Sequence, residues 1–173
     1  MLMSLNNCFM ASEHSMDIVV QFDFQELKNA VEMAKKEIMN RYDLKDSKVE
    51  IELTEDMMKV NTATEYQIET VVGVIVSKMV NRKVSPKILD RQKIQPAGGM
   101  RFVQEIKLIK AMDQENAKNI SKMIRDNFPK TKPLIQGDSV RVVSKSIDDL
   151  QAIMGFLNTQ ESIKIPLLYT NYR

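Results

Sequence analysis

The segment from Ile135 to Gln151 reads IQGDSVRVVSKSIDDLQ and contains the order of elements on which the predicted fold depends. Gly137 and Asp138 are residue types that favour a turn. Residues 140–143 carry valine at alternate positions, which is the period of a strand with one buried face. Ser146 then precedes an acidic residue by three positions, the spacing of a helix capping box. The segment therefore predicts a turn, a strand, a second turn and a helix.

The same order recurs on both sides of this segment. In the first half the patterns predict strand 16–23, a helix beginning at Asp23, strands 49–53 and 57–60, and a helix beginning at Thr64. In the second half they predict strand 102–110, a helix beginning at Asp113, strands 134–135 and 140–143, a helix beginning at Ser146, and a last apolar run at 163–169. We therefore predict an α+β protein made of two ferredoxin-like (βαββαβ) repeats, with the last strand clear only in the second half.

Two segments fit neither repeat. Residues 85–100, SPKILDRQKIQPAGGM, combine both helix-breaking residue types and are the predicted boundary between the halves. Residues 1–15 show neither a helical nor a strand period, and we predict a disordered tail there.

The composition limits the class of protein. The 173 residues include 25 Lys and Arg against 23 Asp and Glu, a net charge of +2. This balance excludes a strongly basic protein that coats nucleic acid, so any anion site must be a local patch. The single cysteine cannot form an internal disulfide, and no apolar run approaches the roughly 20 residues that span a bilayer. We therefore expect a cytoplasmic protein that does not associate with membranes.

The usual catalytic side chains are missing from the predicted domains. The histidine and the cysteine, His14 and Cys8, both fall in the predicted tail, so we expect no catalytic residue, no metal site and no cofactor. The pair Gly98 and Gly99 lacks the lysine or third glycine of a phosphate-binding loop. Aromatic residues do not interleave on the predicted sheet, which counts against reading bases by stacking there.

Basic residues on the predicted strands indicate a phosphate site. We predict that Lys107, Arg141 and Lys145 neutralise phosphate, while backbone amides near Gly137 and Asp138 fix its orientation. The alternative is structural: Lys107 and Arg141 would pair across strands with Glu105 or other acids, an arrangement worth less than about 1 kcal/mol.

Four longer segments together resemble the YajQ family of small bacterial proteins. They are NRYDLKDSKVEIEL (40–53), QPAGGMRFVQEIKLIKAMDQENAKNISKMIRD (95–126), IQGDSVRVVSKSIDDLQAIM (135–154) and TNYR (170–173). The resemblance implies two ferredoxin-like repeats that exchange their N-terminal strands. It places residues 24–109, with strand 101–110, in an N-terminal domain, and residues 16–23 with 111–173 in a C-terminal domain.

The resemblance also implies a function. Family members have been linked to guanine nucleotides and nucleic acid, and some are reported as cyclic di-GMP effectors that act through protein partners. We therefore expect a non-enzymatic nucleotide-binding protein with a regulatory or effector role. The alternative is a protein-protein interaction module with no nucleotide ligand. Two segments depart from the family pattern: Val20 and Gln21 replace a small polar residue and an acid, and NFPKTKPLIQGD (127–138) carries unusual prolines.

Overall fold

The computed structural model describes residues 12–173. Most of the predicted tail, residues 1–11, lies outside this range. The first strand begins at His14, two residues before the predicted start at Met16, so His14 and Ser15 belong to a strand and not to a tail.

The elements follow each other in chain order as nine strands and four helices among the described residues. The strands are β1 His14–Val19, β2 Glu50–Leu53, β3 Met57–Thr62, β4 Leu89–Arg91, β5 Gln95–Ala97, β6 Arg101–Leu108, β7 Lys132–Gln136, β8 Ser139–Ser144 and β9 Leu168–Thr170. The helices are α1 Phe24–Asn40, α2 Glu65–Asn81, α3 Gln114–Asn127 and α4 Ile147–Asn158, with a single 3₁₀ turn at Pro86–Ile88.

The chain divides into two compact units. One, which we call the inserted unit, comprises Val20–Ala111 together with Lys164–Pro166. The other, the terminal unit, comprises the described residues up to Val19, Met112–Ile163 and Leu167–Arg173. The terminal unit is thus discontinuous in sequence, while nearly all of the inserted unit is one continuous segment.

Strand order confirms the predicted fold class in each unit. The terminal unit carries an antiparallel sheet in the order β7-β8-β1-β9. The inserted unit carries an antiparallel sheet in the order β2-β3-β6-β4, with β5 also paired to β6. Both match a βαββαβ unit, whose first strand lies between its third and fourth. That first position is taken by β1 in the terminal unit and by β6 in the inserted unit, so the N-terminal strands are exchanged between the repeats.

The core of the inserted unit lies between its sheet and its two helices. Asp23 caps α1 by accepting hydrogen bonds from the amides of Gln25 (2.8 Å) and Glu26 (3.2 Å), as its sequence position predicts. The valine-rich helix α2 is capped by Thr64. The buried side chains of α2 are Ile68, Val71, Val72, Val74, Ile75 and Met79. Burial of such side chains contributes about 1.5–3 kcal/mol each, which offsets the low helix propensity of valine.

The predicted boundary segment is structured and lies inside the inserted unit. Residues 85–100 contain the 3₁₀ turn and the strands β4 and β5, which both pair with β6. β4 is the last strand of the first repeat, which the sequence pattern did not show. A strand of three residues is too short to reveal a period of two, and the prolines flanking it favour a loop.

The sheet of the terminal unit has one face covered by helices. Met16 and Ile18 of β1 and Val140 and Val142 of β8 are fully buried on the side where α3 and α4 pack. The intervening residues, among them Asp17 and Arg141, lie on the opposite face because side chains alternate along a strand. The predicted site residue Arg141 therefore points away from the helices, as expected.

Candidate functional site

Arg141 is held by a carboxylate on the neighbouring strand. Asp17 lies directly opposite it in the β1-β8 register. The guanidinium donates from Nε to Oδ1 of Asp17 at 2.7 Å and from Nη2 to Oδ2 at 2.9 Å. Asn171 Nδ2 donates to the same Oδ2 at 2.7 Å. The structure therefore gives Arg141 a cross-strand acid partner, Asp17, and a phosphate at this position would compete with it.

Lys107 lies in a different sheet from Arg141. It belongs to β6 of the inserted unit, opposite Met57 on β3 and Asp90 on β4. Its side chain is exposed on the face opposite the helices, and no ion pair joins it to Glu105 within residues 12–173. The strand exchange thus assigns Lys107 and Arg141 to separate units.

Gly137 and Asp138 form the two-residue turn between β7 and β8. Gly137 has φ of +61°, a conformation that favours glycine, and Ser139 closes the turn by donating from its hydroxyl to the carbonyl of Gln136 at 2.9 Å. The turn precedes β8, whereas Lys145 follows it. The six residues of β8 separate the turn from Lys145 by about 20 Å, so the structure does not bring Gly137 and Asp138 together with Lys145.

Lys145 lies instead in a lysine-rich cleft of the terminal unit. The cleft has a volume of about 630 Å³ and is lined by Lys130, Lys132, Lys145, Ser146 and Asp149. All three lysine side chains are exposed. Within the described part of the chain, none of the three ammonium groups takes part in an ion pair with an acid. We call this site the lysine cleft.

Antiparallel pairing explains why these lysines meet. Lys132 is the first residue of β7 and lies opposite Val143, near the end of β8, so the start of β7 is next to Lys145. Lys130 lies in the turn before β7. That turn is closed by Thr131, whose amide and hydroxyl both donate to the carbonyl of Phe128, at 3.0 and 2.8 Å. The fold therefore joins two sequence segments that lie on either side of the β7-β8 hairpin.

The N-terminus of α4 forms another wall of the lysine cleft. The predicted capping box at Ser146 was wrong, because the Ser146 side chain makes no capping hydrogen bond. Ser144 takes part instead: its hydroxyl accepts from the amide of Ser146 at 3.1 Å and donates to Oδ2 of Asp149 at 3.2 Å. The N-cap side chain thus leaves the first-turn amides of α4 uncapped, and amides in this position favour an anion.

Lys130 and Lys132 were missed in the sequence. They belong to PKTKP (129–133), a segment singled out in the sequence only for its prolines. The signal that was present is a pair of lysines at alternate positions immediately before the predicted strand 134–135. Its meaning depends on the partner strand, because only the hairpin register places Lys132 beside the end of β8.

A second concavity lies in the inserted unit. It has a volume of about 280 Å³ and is lined by Gln21, Phe22, Phe24, Glu55 and Lys110. Its one lysine already pairs with an acid, since Lys110 Nζ lies 2.8 Å from Oδ1 of Asp56. Two phenylalanines and a paired lysine make this a poorer site for phosphate than the lysine cleft.

Between residues 12 and 173, no group of three His, Cys, Asp or Glu side chains is arranged to hold a metal ion. In the same range, no helix has the length and apolar character needed to cross a bilayer.

Comparison with known proteins gives a consistent result over nearly the whole chain. A protein called simply a nucleotide-binding protein, from Trichodesmium erythraeum, is 49% identical over 164 residues, covering 95% of this chain and 100% of the relative. Nucleotide-binding proteins of Nostoc punctiforme and Chloroflexus aurantiacus are 48% and 47% identical, with the same coverage. The family model described as "Nucleotide-binding protein YajQ-like" matches residues 14–173. The chain therefore belongs to the YajQ family.

Proposed function

We propose that this chain is a non-enzymatic nucleotide-binding protein and that the lysine cleft is its phosphate site. The proposal keeps Lys145 from the sequence prediction, adds Lys130 and Lys132, and assigns Arg141 a structural role with Asp17. The names of the relatives support the ligand class. The observation that carries the proposal is the convergence of three lysines, none ion-paired among residues 12–173, on a helix N-terminus whose N-cap side chain makes no capping bond.

Charge explains why this arrangement suits a phosphate. Three ammonium groups and one carboxylate, that of Asp149, line the cleft. Like charges held close together repel each other, and a phosphate supplies the opposite charge together with several acceptor oxygens. The amides at the start of α4 add donors that point in the same direction as the helix dipole.

The proposal extends to the identity of the ligand and to a regulatory role. The candidate ligands are a guanine nucleotide, cyclic di-GMP and single-stranded nucleic acid, all of which carry phosphate. We propose that the nucleotide-bound form is recognised by a protein partner, which would make the chain an effector. A non-enzymatic role means that GTP incubated with the protein is recovered unchanged, which chromatography of the nucleotide can check.

Calorimetric titration of the full-length protein tests the site. GTP, cyclic di-GMP and a short single-stranded RNA are titrated at two salt concentrations. We expect binding of at least one ligand that weakens as salt rises. In the double variant Lys132→Gln, Lys145→Gln, affinity should fall by about tenfold or more, since each charge-assisted contact contributes on the order of 1 kcal/mol.

A matched control separates the cleft from general charge. Lys118 and Lys122 are exposed on α3 of the same unit and do not line the lysine cleft. The double variant Lys118→Gln, Lys122→Gln has the same net charge as the Lys132→Gln, Lys145→Gln variant. Its affinity for the nucleotide should equal that of the wild type. Equal losses in both double variants, or binding that ignores salt, would contradict the proposed site.

The second candidate function is a protein-protein interaction module. Large side chains exposed on the inserted unit favour it: Tyr42 is 89% exposed, Tyr66 79% and Met100 95%. Tyrosine is enriched at binding hot spots. A defined partner that requires Tyr42 and Tyr66 but still binds the Lys132→Gln, Lys145→Gln variant, combined with no nucleotide binding in calorimetry, would favour this function.

A further inference from the structure

A smaller cleft adjoins the lysine cleft and shares two of its walls. It has a volume of about 180 Å³ and is lined by Asn127, Phe128, Pro129, Lys130, Thr131 and Asp149. Lys130 and Asp149 belong to both clefts. The two concavities therefore meet at these residues, and one extended ligand can occupy both.

The walls of the smaller cleft differ in chemistry from the lysine cleft. Phe128 packs edge-on against Phe156, with ring centroids 5.5 Å apart and an interplanar angle of 72°, so its ring is held in place. Pro129 adds a second rigid apolar surface. Flat aromatic ligands, nucleobases included, stack on such surfaces. This end of the combined cleft suits a base better than a phosphate.

Asn127 supplies a polar group at the same end. Its Nδ2 donates to the carbonyl of Met123 at 2.8 Å, which orients the carboxamide. Its Oδ1 remains able to accept a hydrogen bond. An acceptor fixed beside an aromatic wall can pair with an exocyclic amine or a ring N–H of a base.

Asp149 determines which way round a nucleotide lies. Its carboxylate repels phosphate, so phosphate groups belong at the far end, beside Lys132 and Lys145. The hydroxyl of Ser144 donates to Oδ2 of Asp149, which leaves Oδ1 able to accept from a ligand. Ribose hydroxyls are donors of suitable size, and a ribose lies between base and phosphate in every nucleotide.

We infer that the two clefts together bind a single nucleoside polyphosphate, with the base against Phe128, the ribose at Asp149 and the phosphates on Lys132 and Lys145. This inference rests on the proposed phosphate site and adds recognition of the nucleoside. The ligand class is a mononucleotide di- or triphosphate, in preference to inorganic polyphosphate and to the interior of a nucleic-acid strand.

The test compares ligands that differ only in the nucleoside. Full-length protein is titrated with GTP, ATP, inorganic tripolyphosphate and the 2′,3′-dideoxy analogues of both nucleotides. We expect one of the two ribonucleotides to bind about tenfold more tightly than tripolyphosphate, the size of effect that stacking of one base supplies. The dideoxy analogue of that ribonucleotide should bind about threefold to tenfold more weakly than the ribonucleotide itself, because it cannot donate to Asp149.

Variants assign the effect to the smaller cleft. Phe128→Leu should bring the affinity for the nucleotide close to that for tripolyphosphate and leave the affinity for tripolyphosphate unchanged. Asp149→Ala removes the acceptor and should abolish the difference between that ribonucleotide and its dideoxy analogue. If Phe128→Leu does not fold, the ligand series on the wild type still decides the matter.

The outcomes distinguish this inference from the proposed function. Tripolyphosphate and nucleotides binding equally, or a stably folded Phe128→Leu variant that loses both equally, would overturn nucleoside recognition while the phosphate site stands. Binding of RNA more tightly than either ribonucleotide would also overturn it, in favour of a strand ligand. Binding of cyclic di-GMP alone would overturn this inference while the phosphate site stands. If neither cyclic di-GMP nor any of these ligands binds, both the phosphate site and this inference fail.

Discussion

Asp17 and Arg141 form a two-point ion pair between residues 124 positions apart in sequence, with N–O distances of 2.7 and 2.9 Å. The side chain of Asp17 is only 9% exposed, whereas that of Arg141 is 40% exposed. The buried carboxylate therefore depends on the arginine and on Asn171 for its compensation. This pair connects β1 to β8, and the other edge of β1 pairs with β9.

Replacing Arg141 should have a larger effect on the stability of the protein than on its affinity for nucleotide. In Arg141→Met the Asp17 carboxylate stays buried without its main partner, so we expect a lower urea midpoint. The matched variant Lys107→Met removes an exposed cation that has no acid partner in residues 12–173, and its midpoint should be nearly that of the wild type. Circular dichroism during urea unfolding measures both. Equal midpoints in the two variants would contradict the structural role of Arg141.

Lowering the pH should reduce the stability of the folded protein, because protonation of Asp17 breaks the ion pair with Arg141. The hydrogen bonds from Arg141 lower the pKa of Asp17 below its usual 3.8, burial opposes them, and the hydrogen bond from Asn171 lowers the pKa further. Because the pKa is lower in the folded chain, the stabilisation is complete above the unfolded value and is lost as the pH falls through the folded one. We therefore expect the urea midpoint, measured at a series of pH values from 7 to 2.5, to decrease once the pH is below about 4.

Two variants identify the carboxylate responsible. Asp17→Asn should flatten the decrease of the urea midpoint in this acidic window. The pKa of Asp43 is also lowered, chiefly by its hydrogen bond from Arg41, but this pair is largely exposed. Asp43→Asn should therefore change the pH dependence less than Asp17→Asn does. A larger change in Asp43→Asn would contradict this prediction, because it would show that Asp43 and not Asp17 causes the acid sensitivity.

The two predicted helix caps should differ in their energetic contribution. Asp23 accepts two amide hydrogen bonds, so Asp23→Ala should lower the free energy of unfolding by about 1 kcal/mol. Ser146 makes no such bond, and Ser146→Ala should change it by less than about 0.5 kcal/mol. Chemical denaturation of the two variants gives the comparison. A cost for Ser146→Ala as large as that for Asp23→Ala would show that its hydroxyl does cap α4.

Two glycines should respond to alanine in opposite directions. Gly137 has φ of +61°, where a side chain is strained, so Gly137→Ala should destabilise the protein by about 1 kcal/mol. Gly73 lies exposed inside α2, and apart from its adjacent helix backbone and chain neighbours no atom lies within 4 Å of an added Cβ. Gly73→Ala should stabilise by about 0.5–1 kcal/mol because alanine favours the helix. Thermal unfolding of both variants checks the signs.

The helices and most strands could be predicted because their signals are local. The caps at Asp23, Thr64 and Asp113 form as their sequence positions indicate. β4 and β5 could not be predicted, because a strand of three residues is too short to show a period, and only pairing with β6 makes them strands. Tertiary contacts decide such short segments.

The candidate site was harder to predict than the fold. Residues close in sequence, such as Asp138 and Lys145, are separated by the length of β8, whereas Lys132 and Lys145 meet through the hairpin register. The acid that pairs with Arg141 is contributed by β1, and nothing near Arg141 in the sequence indicates it. Spacing along the chain identifies residue types on a strand, but the register between strands determines which of them share a site.

The exchange of N-terminal strands has a consequence for synthesis on the ribosome. The inserted unit is almost continuous, so its sheet can form as soon as β6 has emerged. β1 is translated before any of it and has no partner until β8 appears. At about 5–20 residues per second, the 124 residues between Asp17 and Arg141 take about 6–25 s to synthesise. During that interval the nascent chain exposes Met16 and Ile18, which makes β1 a segment for chaperones to protect.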